Sequence, residues 1–440
     1  MLEEPNMVRE KFFNMKSRED VADILGIKEK SLRYFLYSIK PDNMYVEFSI
    51  SKKNGGERVI CAPNDKLKAI QRKLAVILNM VYKTKPAAHG FVLDKNVATN
   101  AKGHVKKKYV FNIDLENFFD QIHFGRVRGM LMKPPYNLGE EAALVISQIA
   151  CYKGKLPQGA PTSPILTNMV CAPLDTQLTK LAKKYNLQYS RYADDITFST
   201  YKADFPVEIA YVDFNGVHVG TVLEELIKKN NFLINYNKVR ISDYRQRQIV
   251  TGLVVNQFVN LRRDYIKEIR ALLYSCKVKG LLESAKLYVE KGKCKNPKII
   301  EAVNSGKSEK EDEIINWFLQ VLKGKIEYIK SIIETSYREI FVAERDKEII
   351  GMAEVMVTQN QPFPVKTDMK WVALDNLVVS EKFKGHGIGS MLIDCVIDWA
   401  RDWNINRIEL KVYEQNFEAL SFYEAKGFET LNRTMFLNIE

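Results

Sequence analysis

The sequence contains few of the residues that build disulfide frameworks or zinc sites. Its six cysteines include no CxxC pair and its five histidines show no metal-ligand spacing, which argues against both kinds of site and favours a reducing compartment. No apolar run approaches the roughly 18 residues of a membrane-spanning helix. The N-terminus, MLEEPNMVREKFF, is charged throughout and does not predict a secretory signal. We therefore expect a cytoplasmic protein without a membrane partner.

Positive charge is in excess, and it is unevenly distributed. The 440 residues carry a net charge of +12, but residues 331–440 contain 12 Lys and Arg against 18 Asp and Glu, a net charge of −6. Residues 1–330 therefore carry +18. A basic body with an acidic tail favours a polyanionic partner for the body alone. Lysine-rich faces that only maintain solubility are the alternative at this point.

Hydrophobic periodicity predicts both strands and helices in the basic body. Residues 45–61 have the pattern of a hairpin around the turn KKNGGE, YVFNIDL (109–115) that of a buried strand, and LQYSRYADDITFST (187–200) that of a second hairpin. Helical segments are predicted for 64–82, 140–152, 163–185, 221–230 and 263–290.

Two further segments of the body stand outside this pattern. Residues 17–38 predict two short helices around Gly26, with Ser17 as the N-cap of the first. They form either a simple packing element or a helix-turn-helix that contacts a duplex. Lys291–Lys310 is rich in Lys, Gly, Asn and Ser, a composition that predicts a flexible connection.

Three carboxylates lie where the predicted strands end. Asp114 ends the buried strand, and Asp194 and Asp195 form the tip of the second hairpin. If the strands adjoin in one sheet, the carboxylates meet at one edge and could hold two Mg²⁺ ions ~3.5–4 Å apart, because hard cations take oxygen ligands. An isolated Asp–Asp pair is more often a solvated turn, so this prediction depends on the neighbouring strands.

The segments around these carboxylates resemble the motifs of reverse transcriptases. SRYADDITFS is similar to the family's YxDD hairpin, FNIDLENFFD to its first carboxylate motif, and LPQGAPTSPILTN (156–168) to its LPQGxxxSP segment, in the same order. The resemblance implies a right-hand polymerase fold of α+β class over residues 1–325, with fingers and palm to about 255 and a thumb over about 260–325.

The resemblance also implies roles for single residues. Asp114, Asp194 and Asp195 would be the catalytic metal ligands. Gln158 would contact the incoming deoxynucleoside triphosphate, and Phe119 would occupy the steric-gate position that excludes a ribose 2′-OH.

Two basic residues are assigned in the same way. Lys238 is where the family carries a lysine near the pyrophosphate, and Arg58, in the fingers hairpin, could grip the triphosphate. An ordinary solvated cation is the alternative for each.

Two short motifs narrow the resemblance to retron enzymes. NAKGH (100–104) resembles their NAxxH motif and VTG (250–252) their VTG triplet; a core histidine and a turn glycine are the structural alternatives. The retron resemblance implies a partner noncoding RNA as template and primer, synthesis from a 2′-OH of that RNA, and a branched RNA–DNA product. Reverse transcriptases of the intron or diversity-generating type are the competing interpretation.

The acidic tail predicts a second, smaller α/β domain over residues 331–440. A strand pair is expected within 339–357, further strands at 371–379 and 407–413, and a helix at 419–428. Between them, GSMLIDCVIDWARDW predicts an amphipathic helix whose apolar face comprises Met391, Leu392, Cys395, Val396 and Trp399.

A glycine loop precedes that helix. FKGHGIGS lies between a strand and a helix N-terminus, where free N–H groups favour an anion. Together with NFEALSFYEAKGF (416–428), it resembles the GNAT acetyltransferases, whose Q/R-x-x-G-x-G/A loop binds the pyrophosphate of acetyl-CoA; Lys384 replaces the usual Gln or Arg. The resemblance implies that Tyr423 is the general acid to the CoA thiolate. The implied cofactor-binding residues are Lys384, Gly387, Ile388, Gly389 and Asn416.

The tail departs from the GNAT family in one respect, and several interpretations stay open. Little room remains for the strand and two helices that shape the acceptor site. The domain is therefore an active acetyltransferase effector, a module that binds acetyl-CoA without turnover, or a degenerate structural module. For the whole chain, an RNA-binding scaffold that presents an acetyltransferase is the rival from another class, and a homo-oligomer is possible. Retrons are linked to antiphage defence, which the fused effector would serve.

Overall fold

The computed structural model describes residues 5–51, 56–306, 310–335, 338–346, 348–359 and 370–431. The chain divides into two units, Met1–Ile266 and Lys267–Glu440, and each has its own hydrophobic core. No helix among these residues is long and apolar enough to cross a membrane. Of the turn KKNGGE predicted for the 45–61 hairpin, residues 52–55 lie outside the described part of the chain.

The first unit contains a four-stranded antiparallel sheet surrounded by helices. The helices are α1 (Pro5–Asn14), α2 (Arg18–Leu25), α3 (Glu29–Tyr37), α4 (Asp65–Val81), α5 (Val97–Lys102), α6 (Phe124–Met132), α7 (Glu140–Ala150), α8 (Ser163–Tyr185) and α9 (Thr221–Lys229). The strands are β1 (Tyr45–Ser51), β2 (Glu57–Pro63), β3 (Tyr109–Asp114), β4 (Gln188–Tyr192), β5 (Asp195–Thr200), β6 (Ala210–Asp213), β7 (Gly216–Val219), β8 (Arg240–Asp243), β9 (Ile249–Val250) and β10 (Leu253–Val254).

The central sheet has the strand order β4-β5-β3-β8. β3 is buried over nearly its whole length, as its continuous apolar run requires. Both predicted hairpins are present as β1–β2 and β4–β5, and the helix predicted over 64–82 is α4. Ser17 caps α2 in a capping box with Asp20, and Gly26 ends the helix in the left-handed region, so the two-helix prediction for 17–38 is confirmed.

The second unit combines a helical layer with a small α/β sandwich. Its elements are α10 (Arg263–Lys279, which begins shortly before the unit), α11 (Leu281–Glu290), α12 (Pro297–Ser305), α13 (Glu311–Thr335), β11 (Arg338–Arg345), β12 (Glu348–Gln359), β13 (Lys370–Val379), α14 (Ile388–Asp402), β14 (Ile408–Leu410) and α15 (Phe417–Ala425). The sheet order is β11-β12-β13-β14, antiparallel except for the parallel β13–β14 pair.

Three predictions for the second unit are wrong in detail. Lys291–Lys310 contains helix α12, because the Asn296 side chain and a proline at the first turn initiate a helix that buries Ile299 and Ala302. The helix predicted over 263–290 is two helices separated at Gly280, which adopts φ of 81°. Of the strand predicted over 407–413, only β14 pairs.

The buried face of α14 is also rotated from the predicted one. Leu392 and Val396 are buried as expected, whereas Met391 and Cys395 face solvent. The core residues of the helix are Ile388, Leu392, Ile393, Val396 and Ala400. This set recurs at the helical period from Ile388 onwards, and including Ile388 in the helix would have predicted it.

Candidate active site

The register of the central sheet brings the three predicted carboxylates together. Asp114, the last residue of β3, lies directly opposite Asp195, the first residue of β5. Asp194 precedes Asp195 in the β4–β5 turn, and its carbonyl accepts a hydrogen bond from Leu115 N at 3.0 Å. The two strands that carry the carboxylates are therefore joined directly at this sheet edge, as the sequence predicts.

The electrostatics of the cluster reflect crowded negative charge. Burial raises the pKa of Asp195 to about 7, and the charges of Asp194 and Asp114 add to the rise. Burial, followed by the Asp114 charge, also raises the pKa of Asp194, whereas Lys238 and Arg58 oppose this shift. Both basic residues predicted for the triphosphate therefore lie close enough to act on the carboxylates.

The three carboxylates suit divalent cations, although their side chains are not preorganised around a metal ion. Three clustered carboxylates, of which burial and mutual repulsion raise the pKa of Asp194 and Asp195, are chemically complementary to hard cations. Within the described ranges, no three His, Cys, Asp or Glu side chains form a ready-made metal site. Lys238 Nζ instead donates to Asp114 Oδ2 at 2.8 Å, and its side chain is half exposed. Metal binding would therefore compete with this ion pair.

Lys238 is held near the cluster by the backbone that precedes it. Asn235 N donates to the carbonyl of Asp114 at 2.8 Å, and Glu116 N donates to the carbonyl of Leu233 at 2.8 Å. A short 3₁₀ turn, Tyr236–Lys238, follows these contacts. The segment after α9 is thus fixed to the end of β3.

A second set of contacts joins the fingers hairpin to the LPQG segment. Cys61 N, on β2, donates to the carbonyl of Gln158 at 2.8 Å. Gly159 adopts φ of +118°, and a Cβ there would lie 3.0 Å from the carbonyl oxygen of Cys61, so a side chain would strain this junction. Arg58 is exposed on the same strand, three residues before Cys61. One backbone contact therefore joins the strand that carries Arg58 to the loop that carries Gln158.

Phe119 lies in the loop after β3 and is only partly buried. Its ring is 5.6 Å from the Phe118 ring and 6.3 Å from the Phe91 ring, measured between centroids. Phe91 follows Gly90, which packs so closely on the β4–β5 turn that a Cβ would lie 2.4 Å from Ala193 N. The predicted gate residue is thus connected through Phe91 to the turn that carries the carboxylates.

The two short motifs associated with retrons contact each other. Thr251 Oγ1 donates to the carbonyl of Val97 at 3.1 Å and accepts from Asn100 Nδ2 at 3.5 Å. His104 is fully buried, and its two ring nitrogens lie 2.7 Å from the hydroxyls of Ser199 and Ser190. Burial lowers the pKa of His104 to about 3, so the ring is neutral and is a core residue behind the β4–β5 hairpin.

Sequence reasoning missed two basic residues beside the carboxylates. Arg240, on β8, lowers the pKa of Asp195 through its charge and donates to Asn112 Oδ1 at 3.2 Å. Arg191, on β4, is completely buried and paired with Asp175. The alternation of β4 places Arg191 on the same face as Leu187 and Tyr189, both buried, so a cation stands among apolar core positions. Asn168 and Asp175 recur with Cys171 and Leu178 at the spacing of the buried face of α8, and these two polar residues were the available signal for a buried partner.

In the second unit, the glycine loop leads into α14 as predicted. Gly385 and Gly387 have φ of 75° and 78°, and Gly387 is the N-cap of the helix without a side-chain cap. The first amides of an α-helix have no intrahelical acceptor, so the amides of Ile388 and Gly389 can face an anion. Lys384 Nζ lies 2.9 Å from Glu381 and 3.9 Å from Glu418.

Helix α15 packs beside this loop. A Cβ on Gly389 would lie 3.3 Å from the Phe422 ring. Tyr423 is next in sequence and half-buried, and burial raises its pKa, which keeps the phenol protonated. Asn416 is the N-cap of α15 and accepts from Ala419 N at 3.1 Å. The predicted loop residues and the second segment thus occupy one end of the small sandwich.

Comparison with known proteins identifies the two parts. Residues 50–255 match the family model described as reverse transcriptase (RNA-dependent DNA polymerase), and residues 309–428 match the acetyltransferase (GNAT) family. The Retron Mx162 reverse transcriptase of Myxococcus xanthus is 33% identical over 60% of this chain and 59% of its own length. The Retron Ec86 reverse transcriptase of Escherichia coli is 34% identical over 59% of this chain and 78% of its own length. The chain thus spans about three fifths of the Myxococcus relative.

The tail has its own relatives. N-acetyltransferase family 8 member 2 of Rattus norvegicus is 24% identical over 26% of this chain and 49% of that protein. An aminoglycoside N-acetyltransferase solved in complex with CoA covers 28% of this chain and 90% of that chain, with 20% identity and a TM-score of 0.23. The expected fold class, a reverse transcriptase domain followed by a GNAT domain, is confirmed by the two family models. The chain belongs to the retron reverse transcriptase family and carries a GNAT acetyltransferase domain at its C-terminal side.

Proposed function

We propose that this protein is an RNA-directed DNA polymerase that copies a partner noncoding RNA into DNA. The register that sets Asp114 opposite Asp195, beside Asp194, is the observation that carries the proposal. Sequencing of the nucleic acid that copurifies with the protein tests it. We expect one RNA species together with complementary single-stranded DNA. Bulk cellular RNA without DNA would instead favour an RNA-binding scaffold.

Different residues of the site would bind the metal ions and the triphosphate. Asp114, Asp194 and Asp195 would hold two Mg²⁺ ions, which when bound activate the attacking hydroxyl and neutralise the leaving pyrophosphate. Lys238 would release Asp114 and face the pyrophosphate. Arg58, exposed on β2, would bind the triphosphate of the incoming deoxynucleotide.

Two uncharged residues, Gln158 and Phe119, would select the nucleotide. Gln158 would contact it from the LPQG loop, and Phe119 would exclude a ribose 2′-OH. We further propose that synthesis starts from a 2′-OH of the partner RNA and gives a branched RNA–DNA product. The retron relatives support this proposal.

We propose a second activity for residues 331–440, separate from the polymerase of residues 1–325. The left-handed N-cap at Gly387, which leaves the first amides of α14 open, is the observation that favours acetyl-CoA as its cofactor. Lys384, Ile388 and Gly389 would complete the pyrophosphate loop. Tyr423, held protonated by burial, would donate a proton to the departing thiolate. In an antiphage retron system, this domain would be the effector.

Phe119→Ala is expected to admit ribonucleotides. Removing the ring opens space for the 2′-OH while the carboxylates still support the chemistry. The ratio of kcat/KM for a ribonucleotide to that for the matching deoxynucleotide should rise about 10²-fold, as expected when a steric exclusion is lost. Phe214→Ala removes a 96% exposed ring at the β6–β7 hairpin and is the control. An unchanged ratio in Phe119→Ala would make Phe119 a packing residue.

Binding of the partner RNA is expected to weaken steeply with salt, because the basic body releases counterions from phosphates. Helix α10 presents Lys267, Arg270 and Lys277 as an exposed stripe at helical spacing. Arg270→Ala with Lys277→Ala should lower the slope of log K against log salt by about 1–2. The control, Lys370→Ala with Lys411→Ala, removes two exposed cations of the acidic domain and should leave the slope unchanged. Equal effects of the two pairs would contradict binding by the body alone.

A further inference from the structure

A buried ion pair lies directly behind the turn that carries Asp194 and Asp195. Arg191 and Asp175 have no exposed side-chain surface. Arg191 Nε donates to Asp175 Oδ1 and Arg191 Nη2 donates to Asp175 Oδ2, each at 2.7 Å. This two-bond geometry fixes the plane of the guanidinium.

The remaining donors of Arg191 bind two further groups. Nη1 donates to the carbonyl of Ala193 at 3.0 Å, and Nη2 donates to Asn168 Oδ1 at 3.0 Å. The Ala193 carbonyl belongs to the peptide bond that leads into Asp194. One rigid guanidinium therefore connects helix α8, through Asp175 and Asn168, to the backbone immediately before the candidate metal ligands.

The turn needs such support, because its conformation is unfavourable. Ala193 has φ of 56°, a left-handed conformation that is costly for a residue with a Cβ. It is also nearly buried, so its carbonyl would lose hydrogen bonding if Arg191 were absent. Burial lowers the pKa of Arg191, but the Asp175 carboxylate more than offsets this and raises the pKa above its ordinary value. The guanidinium thus stays charged.

The other side of the turn is closed by residues 87–91. Arg191 N donates to the carbonyl of Ala87 and its carbonyl accepts from His89 N, both at 2.8 Å. Asn168 Nδ2 donates to the carbonyl of Gly90 at 2.9 Å, and Gly90 packs against Ala193 without room for a Cβ. The same Asn168 side chain therefore bonds both Arg191 and the segment that covers the turn.

We propose that Arg191, oriented by Asp175 and Asn168, is a positioning residue that fixes the Ala193–Asp194 peptide and thereby the carboxylates of the turn. Arg191 touches neither substrate nor metal in this role. The proposal rests on the polymerase function, but it makes a separate claim. Activity should depend on the planar hydrogen-bonding geometry of the guanidinium, and a well-packed, neutral core behind β4 should not be sufficient.

Two kinds of variant separate positioning from packing. Arg191→Lys keeps the positive charge beside Asp175 but cannot donate in a plane to the four acceptor oxygens of Asp175, Ala193 and Asn168. Arg191→Met with Asp175→Leu replaces the ion pair by apolar groups of similar size, a change that core packing often tolerates. Gly90→Ala displaces the same turn from its other side. Gln71→Met removes a buried amide that bonds Tyr45 and Ile149 and controls for general loss of stability.

Two properties of the full-length chain are measured for each variant: the rate of primer extension at saturating nucleotide, and the affinity for Mn²⁺. The melting temperature of each variant is measured as well. Arg191→Lys and Gly90→Ala should lower kcat about 10–100-fold and weaken Mn²⁺ binding, because the carboxylates are misplaced. The apolar double variant should regain a melting temperature near that of the wild type but not kcat or Mn²⁺ affinity. Gln71→Met should keep kcat per folded molecule.

Recovery of kcat and Mn²⁺ affinity in the apolar double variant would overturn the proposal, because packing alone would then suffice. Wild-type Mn²⁺ affinity in Arg191→Lys would overturn it as well. If the wild-type chain binds Mn²⁺ without extending any primer, the polymerase function fails. The Mn²⁺ affinities of the variants would still decide the role of Arg191.

Discussion

Primer extension by the chain with Asp194→Asn and Asp195→Asn is expected to fall by at least about 10³-fold. Bound metals stabilise the transition state by several kcal/mol, and each 1.36 kcal/mol is a factor of about ten in rate. Neutral amides remove the negative charge that two bound dications require. Extension of an annealed RNA template–primer with Mg²⁺ measures the loss, and Asp204→Asn, at an exposed carboxylate, is the matched control. Full activity in the double variant would remove the polymerase assignment.

The same double variant is expected to be more stable than the wild type when divalent cations are absent. The pKa of Asp195 is about 7 in the folded chain and 3.8 as its ordinary value, and burial with the charges of Asp194 and Asp114 causes the rise. The folded state therefore binds a proton more tightly than the unfolded state. The stability associated with that proton is present below about pH 4 and is lost as the pH rises through 7.

Thermal melts across pH 5–8 in EDTA measure this effect. The gain from the substitutions at pH 8 should be on the order of 4 kcal/mol, because each unit of pKa rise corresponds to about 1.36 kcal/mol. The gain should be clearly smaller at pH 5, where only part of the proton-linked stability has been lost. Adding Mg²⁺ should stabilise the wild type but not the variant, since only the wild type retains the ligands. A variant that melts below the wild type at pH 8 would mean that the carboxylates are structural and not crowded charges.

The sequence predicted the edge of the palm well because each part has a local signal. A continuous apolar run marks β3, alternation marks β4 and β5, and the acidic residues mark their ends. Pairing of β3 with β5 follows from the family motifs and not from local pattern. Polar residues on the buried face of α8 indicate a buried partner, but its identity as Arg191 could not be predicted, because the pair joins a strand and a helix through tertiary packing alone.

The errors in the second unit have a different origin. Composition suggested a flexible connection over Lys291–Lys310, although Asn296 and Pro297 are a strong helix start. The predicted apolar face of α14 is based on residues from Met391 onwards and leaves out Ile388, which follows the N-cap at Gly387. The predicted face is therefore rotated about the helix axis from the observed one. In both cases the position where the helix begins was missed, and these start signals are local enough to be read from the sequence.

Acetyl-CoA is expected to raise the melting temperature of the GNAT domain, and Gly387→Glu is expected to abolish this gain. A ligand at about a hundredfold excess over its Kd stabilises by about 2.7 kcal/mol. Gly387 is in the left-handed region at the N-cap of α14, so a glutamate there adds strain and places a negative charge at the proposed pyrophosphate site. Calorimetry and thermal shift measure binding without knowledge of the acceptor.

Gly292→Glu is the matched control for that substitution. Gly292 also has a left-handed backbone, with φ of 66°, and a Cβ there would meet no atom within 4 Å, but it lies between α11 and α12. A glutamate at position 292 introduces the same strain and the same charge. The Gly292→Glu variant should nevertheless keep the full response to acetyl-CoA. Loss of the response in both variants would show that strain, and not the anion site, is responsible.

Tyr423→Phe then separates binding from transfer. A phenol is protonated at neutral pH, and burial raises the pKa of Tyr423 further. Replacing Tyr423 by Phe deletes this proton donor while leaving the loop at Gly387–Gly389 intact. The variant should bind acetyl-CoA as the wild type does, yet release CoA about 10²-fold more slowly with any amine acceptor that supports turnover. Binding without turnover in the wild type would favour a module that only senses acetyl-CoA. No binding at millimolar acetyl-CoA would leave a structural domain, since an open helix N-terminus that holds no pyrophosphate has no cofactor function.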